Sequence, residues 1–430
     1  MKTANPPATL SRTDLRRRFD TVRRFSEELC RPLATEDYVV QPIEDVSPPK
    51  WHLAHTTWFF EQVVLERFQE NYVRYHDTYY YIFNSYYQAF GDRAERSGRG
   101  TLSRPTVEQV YAYRAAVDER MHELFEALPE ERFEEFASIV ELGLHHEQQH
   151  QELLVTDIKY ILATNPLLPI YLDGQLPSSG SGRPASFVTY EGGVKEIGAK
   201  GDGFHYDCEG PRHKVYLHDF ALMDRLVTCG EFREFIEDGG YENHDLWLSN
   251  GWDVITERGW KAPLFWVRDG DRWQIITMAG IRDLVDDEPV CHVSHYEAAA
   301  FARWAGKRLP TEAEWEVAAG ELNTSGYPGN LVDEGYYHPV PAGTFNESSE
   351  LRQMFGDVWE WTSSAFLPYP GYHRETGALG EYNGKFMNDQ MVLRGGSCAT
   401  SRSHLRATYR NFFQSDRRWQ FTGFRLASDV

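Results

Sequence analysis

Two histidines four residues apart, in the run His146-Glu147-Gln148-Gln149-His150, form the sharpest chemical signal in the chain. On a helix such residues share a face, so both imidazoles can converge on one ion. The run fits H-E-x-x-H, in which two histidines bind zinc and the glutamate acts as a base. Its continuation is missing: no H-x-x-G-x-x-H follows, and no glutamate between Glu152 and Glu191 could serve as a downstream third ligand. A protease reading is therefore disfavoured. A third imidazole lies upstream in Trp51-His52-Leu53-Ala54-His55, where His55 shares a stripe with Trp58 and Phe59. A helical bundle can bring His55, His146 and His150 into a three-histidine site, the bland alternative being hydrogen-bonded core histidines. His52 and His145 fall off these faces. Three neutral ligands leave a divalent ion's charge uncompensated and, on an octahedral metal, three positions open to substrate.

Between the two histidine segments runs Tyr79-Tyr80-Tyr81-Ile82-Phe83-Asn84-Ser85-Tyr86-Tyr87, followed by Arg93, Arg96 and Arg99. Tyrosine clusters usually pack, but a phenol near a metal can also supply a proton or electron, and arginines can clamp a carboxylate.

Four helices must position these residues. The first covers Ser11 to Leu33, with Leu15, Phe19, Val22 and Leu29 on one side and Ser11-x-x-Asp14 at its start. The second starts after Ser47-Pro48-Pro49 and runs through Val63, since proline suits a first turn. A third follows Pro105, with Val110, Tyr113, Val117, Met121 and Leu124 at helical spacing. The fourth spans about Glu131 to Ala163, with Ile139, Leu142, His146, His150, Leu153 and Ile161 along one side. Residues 1–173 thus read as an all-α four-helix bundle. A Gly/Ser/Pro-rich linker covers 174–186, and an α+β domain rich in short strand-like runs such as Lys214–Leu217 and Met391–Leu393 fills 187–430. Helices are expected there at Cys229–Glu237 and Tyr296–Ala305; no internal repeat is found.

The 430 residues exceed one ordinary domain of about 150. With Lys+Arg 44 against Asp+Glu 65, a net charge of −21 disfavours nucleic acid as a partner. No apolar stretch is long enough to span a membrane, and the arginine-rich N-terminus lacks the apolar core of a signal peptide, so a cytoplasmic protein is expected. Five scattered cysteines form no C-x-x-C pair and read as reduced thiols.

The stretch Trp51–Glu61 (WHLAHTTWFFE) together with HEQQH at 146–150 resembles the DinB-like bundle of the sulfoxide synthases of ergothioneine and ovothiol biosynthesis. The second domain resembles the formylglycine-generating-enzyme fold, a C-type-lectin-like domain. The similarity is carried by Pro289-Val290-x-x-Val293-Ser294, Gly306–Glu316 (GKRLPTEAEWE), Gly356–Thr362 (GDVWEWT), Leu393–Ser397 (LRGGS) and Phe421–Leu426 (FTGFRL). The order of the fusion is more specific than either domain alone.

This resemblance implies iron(II) and O2, used to join a thiol to the imidazole of histidine or of its Nα-trimethylated form, hercynine, as a sulfoxide. It implies iron on His55, His146 and His150, and an imidazole substrate held by Gln149 and by Asn411 in Arg410-Asn411-Phe412-Phe413. Arg93 and Arg96 match an arginine pair for the thiol's carboxylate, and Arg417 a further basic contact. Relatives using γ-glutamylcysteine carry an acid where Phe413 stands, so plain cysteine is the expected thiol. They also carry a catalytic tyrosine where this chain has Phe366, which makes Tyr86 or Tyr87 the expected proton donor. Formylglycine generation needs two closely spaced cysteines after G-G-S, and Cys398 is the last in the chain. The expected enzyme makes hercynylcysteine sulfoxide. Competing readings are an ovothiol-type enzyme using histidine, and a zinc-dependent thiol transferase or metal-binding module.

Overall fold

The computed structural model describes residues 11–85, 91–174, 176–177, 184–201, 203–322, 328–345, 350–374 and 383–430. Tyr86 and Tyr87 lie outside the described residues, as do 175 and 178–183 of the linker segment. The chain divides into two compact units, one formed by residues 1–171 with 201–204 and 374–382, the other by 172–200, 205–373 and 383–430.

The first unit is a four-helix bundle of α1 (Arg12–Cys30), α2 (Pro49–Phe59), α3 (Val107–Ala127) and α4 (Phe133–Thr164). Ser11 caps α1 by accepting from the Asp14 N–H at 3.1 Å, and Thr106 and Gln109 close a reciprocal box on α3. Pro48 and Pro49 open α2, and Asn165-Pro166 follows the end of α4. α1 packs on α4, while α2 packs on both α3 and α4. Every residue of α2 is buried, so this helix has no polar face to show as a period in the sequence. The apolar rows of α1 and α3 are buried as their spacing predicts.

Three details differ from expectation. α1 ends at Cys30 rather than Leu33. α2 ends at Phe59 and passes into a π-helical turn, Phe60–Leu65, that turns Glu61 inward to accept from the hydroxyls of Tyr113 at 2.5 Å and Tyr72 at 2.7 Å. On α4, Leu142 and Leu153 are only partly buried; Val140, Leu144, Leu154, Val155 and Ile158 carry the core.

The second unit is α+β. Two antiparallel neighbours, β1 (Phe187–Tyr190) and β12 (Ala427–Asp429), flank β4 (Phe220–Met223). β2 (Gly193–Ile197) and β3 (His213–Leu217) form a hairpin, and β5 (Trp266–Asp269), β6 (Arg272–Thr277) and β7 (Gly280–Asp283) a meander. The fourth sheet runs β10 (Asn411–Phe413), β9 (Met391–Arg394), β8 (Trp359–Ala365), β11 (Thr422–Gly423), with β11 parallel to β8. Its helices are α5 (Cys229–Glu237), α6 (Ser249–Arg258), α7 (His295–Trp304) and α8 (Glu312–Gly320).

The motif residues of this unit are its interior. Glu360, between the buried Trp359 and Trp361, takes Arg425 Nε at 2.5 Å and Trp315 Nε1 at 3.0 Å. Arg394 pairs with Glu316, and Arg410 makes a forked pair with Glu312 at 2.9 and 3.0 Å. Gly395 and Gly396 have φ of 95° and 78°, and a Cβ on Gly395 would lie 2.7 Å from the Met354 carbonyl. Only glycine fits there. All five cysteines are buried thiols. No helix among the described residues is long and apolar enough to cross a membrane.

Candidate metal centre

Three imidazoles converge in the first unit. His55 from α2 and His146 and His150 from α4 each offer a ring nitrogen, and these atoms all lie within 4.8 Å of one another. The ring centroids are 4.7 to 5.1 Å apart. The i, i+4 spacing on α4 puts two rings on one face, and the packing of α2 on α4 delivers the third.

Burial lowers the His146 pKa to about 4 and sets His55 and His150 well below the ordinary imidazole range, with the neighbouring rings adding to both latter shifts. Neutral imidazole is the form that ligates, so the donor set fits a divalent transition ion.

The His55 ring is sandwiched. Trp51 stacks on it at 4.6 Å with 10° between planes, and Trp58 lies parallel at 5.7 Å. The Arg99 guanidinium sits 3.3 Å from the Trp51 ring and donates to the hydroxyls of Ser47 at 2.9 Å and Ser85 at 3.2 Å. Three ring N–H groups of α2 then meet three carbonyls of the tyrosine-rich segment: Trp58 Nε1 to Tyr80 at 3.1 Å, Trp51 Nε1 to Ile82 at 3.2 Å, and His55 Nδ1 to Phe83 at 2.6 Å. With Nδ1 donating, His55 keeps Nε2 for a metal.

His145 points elsewhere, stacking on Phe204 at 3.8 Å and meeting Arg18 at 2.7 Å. Glu147, the glutamate of the H-E-x-x-H run, turns away from the triad. It is fully buried and receives Arg114 at 2.5 Å, Ser26 at 2.6 Å and Arg23 at 3.0 Å. Burial alone would raise its pKa, but Arg114 and Arg23 bring it down to about 2. It is the anionic centre of the bundle's polar core, which leaves no base for the protease pattern.

Arg93 donates to the Ser85 carbonyl at 2.6 Å, and Arg96 to the carbonyls of Glu44 at 3.1 Å and Asp45 at 2.6 Å. Gln149 is partly buried on α4 between the two histidines. In the second unit, Asn411, Phe412, Phe413 and Arg417 are half-buried on and after β10. Asn411 Oδ1 accepts from the Phe412 N–H at 2.9 Å, and Phe412 stacks on Phe366 at 4.0 Å. Phe413 meets Trp419 edge-on at 5.4 Å, and Arg417 lies 3.7 Å from Asp416. Arg99, grouped in the sequence with Arg93 and Arg96 as a possible carboxylate clamp, packs instead on the Trp51 ring that stacks on His55.

The profile of the DinB superfamily matches residues 18–154, and that of the sulfatase-modifying factor enzyme 1-like domain matches 174–430. Hercynine oxygenase of Mycolicibacterium smegmatis is 35% identical over 370 residues, covering 80% of this chain and 83% of the relative. The chain belongs to the hercynine oxygenase family. A second member, hercynine oxygenase of Mycobacterium tuberculosis, is 34% identical over 80% of this chain and 83% of its own. The formylglycine-generating enzyme of Streptomyces coelicolor is 30% identical but covers only 56% of this chain, against 89% of its own. Membership in the hercynine oxygenase family thus accounts for both domains, whereas likeness to the formylglycine enzyme accounts for one.

Proposed function

We propose that this chain is a non-haem iron(II)- and O2-dependent sulfoxide synthase that joins the sulfur of cysteine to the imidazole C2 of hercynine. The observation that carries the reading is the triad of neutral imidazoles with ligand atoms within 4.8 Å, in a member of the hercynine oxygenase family. The reaction balances without a further reductant. The thiol S–H and imidazole C–H give two hydrogens, one oxygen atom of O2 enters the sulfoxide, and the other leaves as water.

His55, His146 and His150 would hold the iron, which when bound supplies one-electron chemistry toward O2 and open positions for substrate. Gln149 and Asn411 hold the imidazole ring, with Phe412 as pocket wall. Arg93 and Arg96 take the cysteine carboxylate, and Arg417 adds a basic contact. Phe413, being apolar, offers nothing to a glutamyl amine and so favours cysteine over γ-glutamylcysteine. Tyr86 or Tyr87 supplies a proton during coupling. The partners are small molecules, and the expected compartment is the cytoplasm.

O2 uptake with cysteine and hercynine, with mass-spectrometric detection of the sulfoxide, tests this reading. Uptake requiring both substrates and iron(II) supports it. A higher specificity constant with histidine than with hercynine, or full activity with zinc alone, would refute it. For the phenol, the ratio of sulfoxide to cysteine sulfinate is the readout: it should fall in Tyr86→Phe or Tyr87→Phe, and an unchanged ratio in the double variant would exclude the pair.

A further inference from the structure

His52 and Asp157 are buried beside the triad without being part of it. His52 Nδ1 lies 2.9 Å from His150 Nδ1, and His52 Nε2 lies 3.0 Å from Asp157 Oδ2. Asp157 Oδ2 also accepts the Ser47 N–H at 2.8 Å, just ahead of the prolines that open α2. Asp157 stands seven residues after His150, two turns along the same helix, so both ends of this chain of contacts belong to α4 and its middle to α2.

The protons in this chain can be placed from one end. A carboxylate only accepts, so His52 Nε2 carries the hydrogen and donates it to Asp157. His52 Nδ1 is then a bare acceptor. His150 Nδ1, 2.9 Å away, must be the donor, which leaves the lone pair of a neutral His150 on Nε2. The opposite arrangement would put a hydrogen on His150 Nε2, where it would block ligation.

We propose that Asp157 and His52 form a tautomer-setting relay: positioning residues that hold His150 in the form able to bind metal through Nε2. The inference rests on the triad holding a divalent metal, and it involves no change of charge. The histidine on α2 that cannot reach the ion thereby acts through the one that can. His55 is set differently, by the Phe83 carbonyl, so the two helices use independent devices to the same end.

Anaerobic titration of cobalt(II) into the metal-free, full-length protein tests this, with visible absorption reporting the ligands and circular dichroism the fold. His52→Leu removes the acceptor and should weaken cobalt binding about 10–100-fold. His52→Asn places an amide oxygen where Nδ1 stood and should recover most of the loss, which a purely space-filling role for His52 would not produce. Wild-type affinity in His52→Leu, or equal weakness in His52→Leu and His52→Asn, would overturn the relay. Should His52→Leu fail to fold, Asp157→Ala carries the test. That change removes the one oxygen that accepts from both Ser47 and His52, leaving the His52 tautomer unset; weaker binding supports the relay and unchanged binding overturns it. A wild-type protein that binds no cobalt would overturn the metal reading as well, an outcome separate from failure of the variants alone.

Discussion

Glu147 lies between two candidate metal ligands and belongs to neither the metal nor its chemistry. Its carboxylate is enclosed by Arg114, Arg23 and Ser26. Glu147→Gln should therefore destabilise the bundle by about 1.5–3 kcal/mol in denaturant unfolding, because two buried guanidinium groups lose a charged partner while Arg23 keeps Asp118 and Arg114 keeps Glu27. It should leave metal stoichiometry intact in whatever fraction remains folded. The histidine variants should behave the opposite way. His55→Ala, His146→Ala and His150→Ala each abolish stoichiometric iron(II) binding in equilibrium dialysis, while His145→Ala, whose ring faces Arg18 and Phe204, keeps it. The convergence of His146 and His150 was readable because one helix sets their spacing. The partners that orient the rings were not. The Phe83 carbonyl belongs to the backbone and bears no residue-type signal, and Glu147 matched a pattern whose geometry it does not adopt.

At the scale of elements, the crossing of α2 and α4 sets how closely His55 approaches its two partners. Gly143, one turn before His146, lets the helices meet there: a Cβ at that position would lie 2.8 Å from the rings of both Phe59 and Phe60. Alanine is favoured over glycine in a helix by about 1 kcal/mol, but overpacking a core costs about 1–3 kcal/mol. Gly143→Ala should consequently lower the unfolding midpoint and weaken metal affinity together, measured by urea unfolding and cobalt titration. The long helices were readable from their caps and apolar rows. The π-helical turn at Phe60–Leu65 was not, because its inward glutamate is held by tyrosines distant in sequence. α8 was missed although Thr311-x-x-Glu314 is a capping box in plain view, and the meander β5–β7 although Gly270 marks its first turn. In both, irregular surroundings hid a local signal.

In the molecule as a whole, each unit is organised around buried ion pairs. The second unit holds Glu209, to which Arg406 and the Thr408 hydroxyl donate at 2.6 Å. Burial would raise its pKa; Arg406, Thr408 and the Tyr206 N–H hold it below the ordinary carboxylate range. A depressed carboxylate stabilises the fold above its unfolded pKa of about 4.3 and loses that contribution as pH falls through the folded value. Glu209→Gln should thus cost about 3 kcal/mol at pH 7, and the gap from the unaltered protein should narrow below about pH 4. The order of the units along the chain has another consequence. His55, the carbonyls that receive α2, His52, His150 and Asp157 all precede Thr164, the last residue of α4, whereas β1 starts at Phe187. During translation the complete set of imidazoles leaves the ribosome before any strand of the second unit exists. On the proposed reading, metal capture is therefore separable in time from the making of the Asn411 strand.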